Sequence, residues 1–118
     1  MSEFRRRLSK GSWLQLIVLR VLYENSLHGY KLLKQVNVLM SGRRKLKAGS
    51  LYTILRRMEH NGLLDSVWEE KSARMNRRIY NLTEKGIERL KQGKNMIEEQ
   101  QKILNEMIKF YESQFKDD

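Results

Sequence analysis

Apolar residues recur at helical spacing in four stretches of the chain, and two short β-prone runs lie between the third and the fourth. In the first stretch Trp13, Leu14, Leu16, Ile17, Val18, Val21 and Leu22 form a broad apolar face, with Ser12 placed to cap its start and the turn formers Glu24-Asn25-Ser26 to end it. A second helix is predicted from near His28-Gly29-Tyr30, repeating Leu32, Leu33, Val36, Leu39 and Met40 until Ser41-Gly42. The third runs from about Ala48 to His60, with Leu51, Ile54, Leu55 and Met58 on one face. Asn61-Gly62 ends it, because glycine tolerates the left-handed conformation found at helix ends.

The next two runs are short and β-prone. Leu64, Ser66 and Trp68 alternate with Asp65, Val67 and Glu69, and residues 77–82 carry Ile79 and Leu82 around Tyr80. The connection at residues 71–76 lacks Asn-Gly and Asp-Gly, which predicts a longer tip than a two-residue hairpin. A long helix follows, capped by Thr83, favoured at its start by Glu84, and running to about Phe115. Gly93 is its weak point. Ile87, Leu90, Ile97, Leu104, Ile108, Tyr111 and Phe115 form one stripe, beside a second of Met96, Ile103, Met107 and Phe110. About 33 residues at 1.5 Å each would reach about 50 Å, beyond the domain that precedes them. A second subunit is the expected cover; the alternative is a helix folded back over its own domain.

Charge narrows the function. The 118 residues carry a net +10, and the excess is confined to residues 1–83, with 17 basic and 6 acidic side chains against 7 and 8 in residues 84–118. Arg43, Arg44, Lys45 and Lys47 place four charges in five positions, and no acidic residue occurs from 71 to 78. Basic residues in short clusters between apolar segments fit nucleic acid better than a membrane surface, which calls for one amphipathic helix. No run approaches the roughly 20 apolar residues of a membrane span. Gln15 and Arg20 interrupt the apolar stretch behind the basic N-terminus, and no small-residue cleavage site follows it, so a cytoplasmic location is expected. The absence of cysteine excludes disulfides and thiolate metal sites, and two histidines are too few for a His-rich one. Paired carboxylates in a cleft, a Gly-rich phosphate loop and a Ser-His-Asp set are also missing, so an enzyme is not expected and no cofactor is called for.

Helix, helix, short basic connection, helix and β-ribbon make a mainly α fold with a small β component (α+β), in the order of a winged helix-turn-helix. That domain would occupy residues 1–83, with 1–11 as a basic arm, and residues 84–118 would form a C-terminal dimerisation helix. The third helix would enter the major groove, exposing Ser50, Thr53, Arg56 and Arg57, with Tyr52 near the boundary. Lys71, Arg74, Asn76, Arg77 and Arg78 would form the wing. Lys31 and Lys34 on the second helix and Lys47 before the third complete the basic surface. Ile97, Leu104, Met107, Ile108, Tyr111 and Phe115 are the dimerisation candidates.

Several residues have a plainer reading as well. His28 and His60 sit where caps or surface residues belong, Trp13 and Trp68 where packing anchors do, and Tyr80 within a strand reads as core. Gly49 either admits phosphate to the helix start or eases the turn. Met75 at the tip is either a minor-groove wedge or an exposed side chain, and Arg5, Arg6, Arg7 and Lys10 are either a phosphate-touching arm or a solvated helix start.

Four ordered blocks resemble the PadR family of transcriptional regulators: Leu27-His28-Gly29-Tyr30; Gly49-Ser50-Leu51-Tyr52 with Leu55-Arg56-Arg57-Met58-Glu59; Asn61-Gly62-Leu63-Leu64; and residues 77–86, Arg-Arg-Ile-Tyr-Asn-Leu-Thr-Glu-Lys-Gly. The tail is similar to that of the short members with a single terminal helix. The resemblance implies a homodimeric winged-helix repressor on double-stranded DNA, with Tyr30, Ser50, Tyr52, Arg56 and the wing basics at or near the duplex. The family often has Pro where this chain has Thr53, which would add a hydroxyl on the groove side. Some relatives bind aromatic or drug-like effectors between the terminal helices; this tail offers Phe110, Tyr111 and Phe115 but no Trp. A non-specific architectural DNA- or RNA-binding winged helix would use the same charge.

Overall fold

Helix α1 (Lys10–Glu24) is apolar around most of its circumference and occupies the centre of the computed structural model, which describes residues 10–40, 45–70 and 76–116. Val18 and Leu19 are fully buried and Leu16, Val21 and Leu22 nearly so, because α1 packs against a second helix, the sheet and the terminal helix at once. Ser12 lies within the first turn of α1 and does not cap it, since the helix already includes Lys10. Leu27–His28 then form a two-residue strand, β1, which leads directly into α2 (Gly29–Leu39).

Helix α3 (Ala48–His60) is tied to α2 by a side chain that imitates a backbone. Asn37 accepts from the Leu46 amide at 2.8 Å and donates to the Leu46 carbonyl at 3.2 Å, which satisfies both groups of the segment entering α3. Gly62 ends α3 at φ 79°, where a side chain would be strained. Strands β2 (Leu64–Glu70) and β3 (Asn76–Leu82) pair in register from Leu64 opposite Leu82 to Glu70 opposite Asn76. The sheet has the order β1-β3-β2 and is antiparallel throughout, with Leu27 opposite Tyr80 and His28 opposite Ile79. Strand β1 was not expected from the sequence, because two residues cannot show a period.

The terminal helix α4 (Glu84–Gln114) starts at a tightly bonded junction. Thr83 Oγ1 accepts from the Gly86 amide at 3.0 Å and donates to the Gly62 carbonyl at 2.6 Å, while Lys85 Nζ reaches the Asn61 carbonyl at 2.8 Å. A methyl group on Gly86 would overlap the Leu63 carbonyl. Gly93 has a packing role of its own: a Cβ there would lie 2.6 Å from a Leu16 methyl, so its absence lets α4 approach α1. Met96, expected in the projecting stripe, is instead buried against the domain. Beyond it α4 runs outward to Gln114, one residue short of Phe115, and the molecule measures 65 × 33 × 21 Å.

Candidate nucleic-acid interface

The spacing of α3 decides what it can present. Leu51, Leu55 and Met58 are fully buried in the core, where α3 packs on α2 and β2, so Ser50, Thr53, Arg56 and Arg57 face solvent on the other side. Among the described residues no acidic side chain pairs with Arg56 or Arg57, which leaves both guanidinium forks open to a ligand. The Thr53 hydroxyl donates to the Gly49 carbonyl of its own helix at 3.0 Å, so only its lone pairs remain for a base or phosphate. Lys47 is the N-cap residue of α3, extended and exposed, and its side chain makes no capping bond.

Tyr52 links α3 to α2. Its ring lies so close to Gly29 that a Cβ there would overlap it, and the ring is 43% exposed at the mouth of a cleft. That cleft, of about 780 Å³, is lined by Tyr30, Lys31, Tyr52, Trp68, Arg77 and Tyr80, together with His28, Gly29 and Arg78. Exposed Lys34 sits 5.3 Å above the Tyr30 ring, so two of the three expected α2 contacts, Tyr30 and Lys34, support one another. Tyr80 forms the buried floor, and burial raises its phenol above the usual value, with the Arg78 charge opposing the rise.

The wing arginines differ from each other. Half-buried Arg77 lies with Nη1 3.3 Å from His28 Nε2. A guanidinium only donates, so that imidazole nitrogen accepts and His28 neither caps α2 by its side chain nor stands free. Arg78 is exposed but engaged by neighbouring groups: Nε donates to Ser66 Oγ at 2.8 Å, Nη2 lies 3.6 Å from Glu59 Oε2, and the guanidinium carbon is 5.3 Å from the Trp68 ring centre. Trp68 is not the packing anchor expected for it. It is 64% exposed, because it lies on the outer end of the ribbon, where no helix among the described residues covers it. Sequence reasoning missed the tie between Glu59 and Arg78. The sequence offered only the alternation that puts Ser66 and Trp68 on one face of β2; the register that sets Arg78 opposite Trp68 and Tyr80 opposite Ser66 came with the fold.

Lys71 and Arg74, with Met75, Arg43, Arg44 and Arg5 to Arg7, lie outside the described residues, as do the side chains of Asn76 and Lys10. Tyr30, Lys31, Lys34, Lys47, Ser50, Tyr52, Thr53, Arg56, Arg57, Arg77 and Arg78 remain, drawn from α2, α3, the segment before α3 and β3. On α4, Ile97, Leu104, Met107, Ile108, Tyr111 and Phe115 are all exposed, and the rings of Phe110, Tyr111 and Phe115 touch edge-to-face or tilted at 5.5 to 6.2 Å. Among the described residues no group of three His, Cys, Asp or Glu could hold a metal ion, and no helix is long and apolar enough to cross a membrane.

Comparison with known proteins adds an independent line. Residues 18–92 match the transcriptional regulator PadR-like family. The structure resembles a PadR family transcription regulator from hypervirulent Clostridium difficile, at 28% identity and TM-score 0.70, covering 81% of this chain and 98% of that one. It also resembles a transcriptional regulator from Clostridium thermocellum, at 26% identity and TM-score 0.73, covering 85% and 97%. Bacillus subtilis PadR in complex with operator DNA shares the fold at 19% identity and TM-score 0.59, over 65% of this chain and 44% of that one. No curated protein matches in sequence.

Proposed function

The chain belongs to the PadR-like family of transcriptional regulators, and on that premise we propose that it acts as a cytoplasmic homodimeric repressor reading a palindromic operator. The observation that carries this reading is the division of α3 into a fully buried apolar face and an open face of Ser50, Thr53, Arg56 and Arg57. Such a helix presents hydrogen-bonding groups to the major groove while its own packing fixes its direction. Arg56 and Arg57 have the fork geometry to grip guanine, and Ser50 and Thr53 can meet either base or phosphate. Lys31, Lys34 and Lys47, with Tyr30 and Tyr52, would hold the backbone, and Lys71, Arg74, Asn76 and Arg77 would bring the wing to a neighbouring groove.

Operator DNA bound to the Bacillus subtilis relative supports DNA as the partner. Residues 1–83 would bind it, with the arm of residues 1–11 on phosphate, and residues 84–118 would pair two subunits through Ile97, Leu104, Met107, Ile108, Tyr111 and Phe115. An aromatic or drug-like effector has its place in this reading between the two distal helices, beside Phe110, Tyr111 and Phe115. Selection from random duplexes by the purified protein at about 150 mM salt tests the proposal. An enriched palindrome with half-sites about one helical turn apart is expected. Binding without enrichment would replace it with an architectural DNA-binding role.

A further inference from the structure

Arg78 lies in the basic wing, yet its guanidinium points back toward the helix that would read DNA. One carboxylate oxygen of Glu59, in the last turn of α3, accepts from Ser66 Oγ at 2.7 Å and faces Arg78 Nη2 at 3.6 Å. The same Ser66 hydroxyl accepts from Arg78 Nε at 2.8 Å, so a single hydroxyl on β2 connects α3 with β3. Trp68 covers one face of the guanidinium at 5.3 Å. Strand pairing fixes Arg78 opposite Trp68 and Ser66 opposite Tyr80, so all four lie on the α3 side of the ribbon. A planar cation with one face stacked and two nitrogens engaged is poorly placed to follow a phosphate, and well placed to fix an angle.

Building on the proposed DNA-binding role, we infer that Arg78 is a positioning residue: with Glu59, Ser66 and Trp68 it fixes the tilt of the β2–β3 wing relative to α3, so that both reach the duplex together. The carboxylate makes the idea separable from a plain DNA contact. If Arg78 were a phosphate ligand restrained by Glu59, removing the Glu59 charge would free it and strengthen binding. As a positioning pair, Glu59→Gln weakens binding although it makes the protein more positive.

The test uses the full chain and the duplex most enriched in the random selection, with binding measured over a salt series. Glu59→Gln and Arg78→Lys are each expected to lower affinity about tenfold, and the double variant to lose less than the sum of the two. The slope of log affinity against log salt stays unchanged, whereas loss of one phosphate contact reduces it by about one. In the free protein, amide exchange in β2 and β3 is expected to quicken in both variants while that of α1 stays slow, which separates a loosened wing from a misfolded domain. Tighter binding by Glu59→Gln, a reduced slope in Arg78→Lys, or unchanged exchange would each overturn the inference while leaving the DNA-binding role intact. A wild-type chain that binds no duplex would overturn both.

Discussion

Along the single helix α4, two halves with similar apolar spacing have different surroundings. In the first half Leu90 packs on the core, Gly93 lets the helix approach Leu16, and Met96 is buried. In the second half Leu104, Met107, Ile108 and Tyr111 are each about half exposed, because among the described residues no element packs beside α4 there. An amphipathic stripe is therefore a demand for a partner and carries no information on where that partner comes from. The domain meets the demand within the chain; the distal helix leaves it open, and a second subunit is the cover that the proposed function supplies.

The most forceful way to break this contrast is to charge the exposed stripe. Leu104→Glu together with Ile108→Glu is expected to convert a dimer to a monomer in sedimentation and to lower operator affinity at least about a hundredfold, since two half-sites would no longer be bound as one. The helical far-UV signal of the domain should survive. A variant that still sediments at twice the chain mass would remove the distal helix from the interface.

Two methionines sharpen the same contrast. Met58→Ala empties a fully buried site under α3 and is expected to cost about 2–4 kcal/mol in urea unfolding. Met107→Ala, on the distal stripe, should leave domain unfolding nearly unchanged and weaken subunit association instead. An Arg57→Ala variant ranks next, with about 1–3 kcal/mol of binding lost and relaxed preference at one base position in the selected site. Equal loss on every duplex would make Arg57 a phosphate contact.

Smaller effects belong to the junction between the two regions and to the cleft. Thr83→Ala removes the cap of α4 and is expected to destabilise the domain by about 1 kcal/mol in thermal or urea unfolding. Burial holds the Tyr80 phenol above its ordinary value near 10, so the folded protein keeps a proton that the unfolded chain releases. The resulting stabilisation is present below about pH 10 and declines as pH rises through the folded value. Tyr80→Phe should lack that alkaline decline when melting temperatures of the two proteins are compared.

Much of the fold was legible because its periods are long. Helices α2 and α3, both ribbon strands and the Thr83 cap follow from residue spacing and turn chemistry. The four blocks that carried the family resemblance were legible as words but not as contacts. In three dimensions Gly62 and Leu63 bond Thr83, Gly29 takes the Tyr52 ring, and Leu27 pairs with Tyr80, so much of the resemblance marks how the domain locks together. Open arginines on α3 were predictable from the buried face opposite them. The engagement of Arg78 was not, since Glu59 and Arg78 are separated by a strand and a turn, and their meeting depends on pairing register.

Local spacing and composition were enough to mark the four helices and the two ribbon strands, the apolar face of α3, and the confinement of the positive charge to residues 1–83, but not the two-residue strand β1. It took the packed fold to make Gly93 a contact, to bury Met96 while leaving Met107 exposed, and to have, of two adjacent arginines, Arg77 bond His28 while Arg78 joins the ribbon to α3. Each of these depends on which distant element arrives beside a residue, and that is set by how the helices and the sheet pack together.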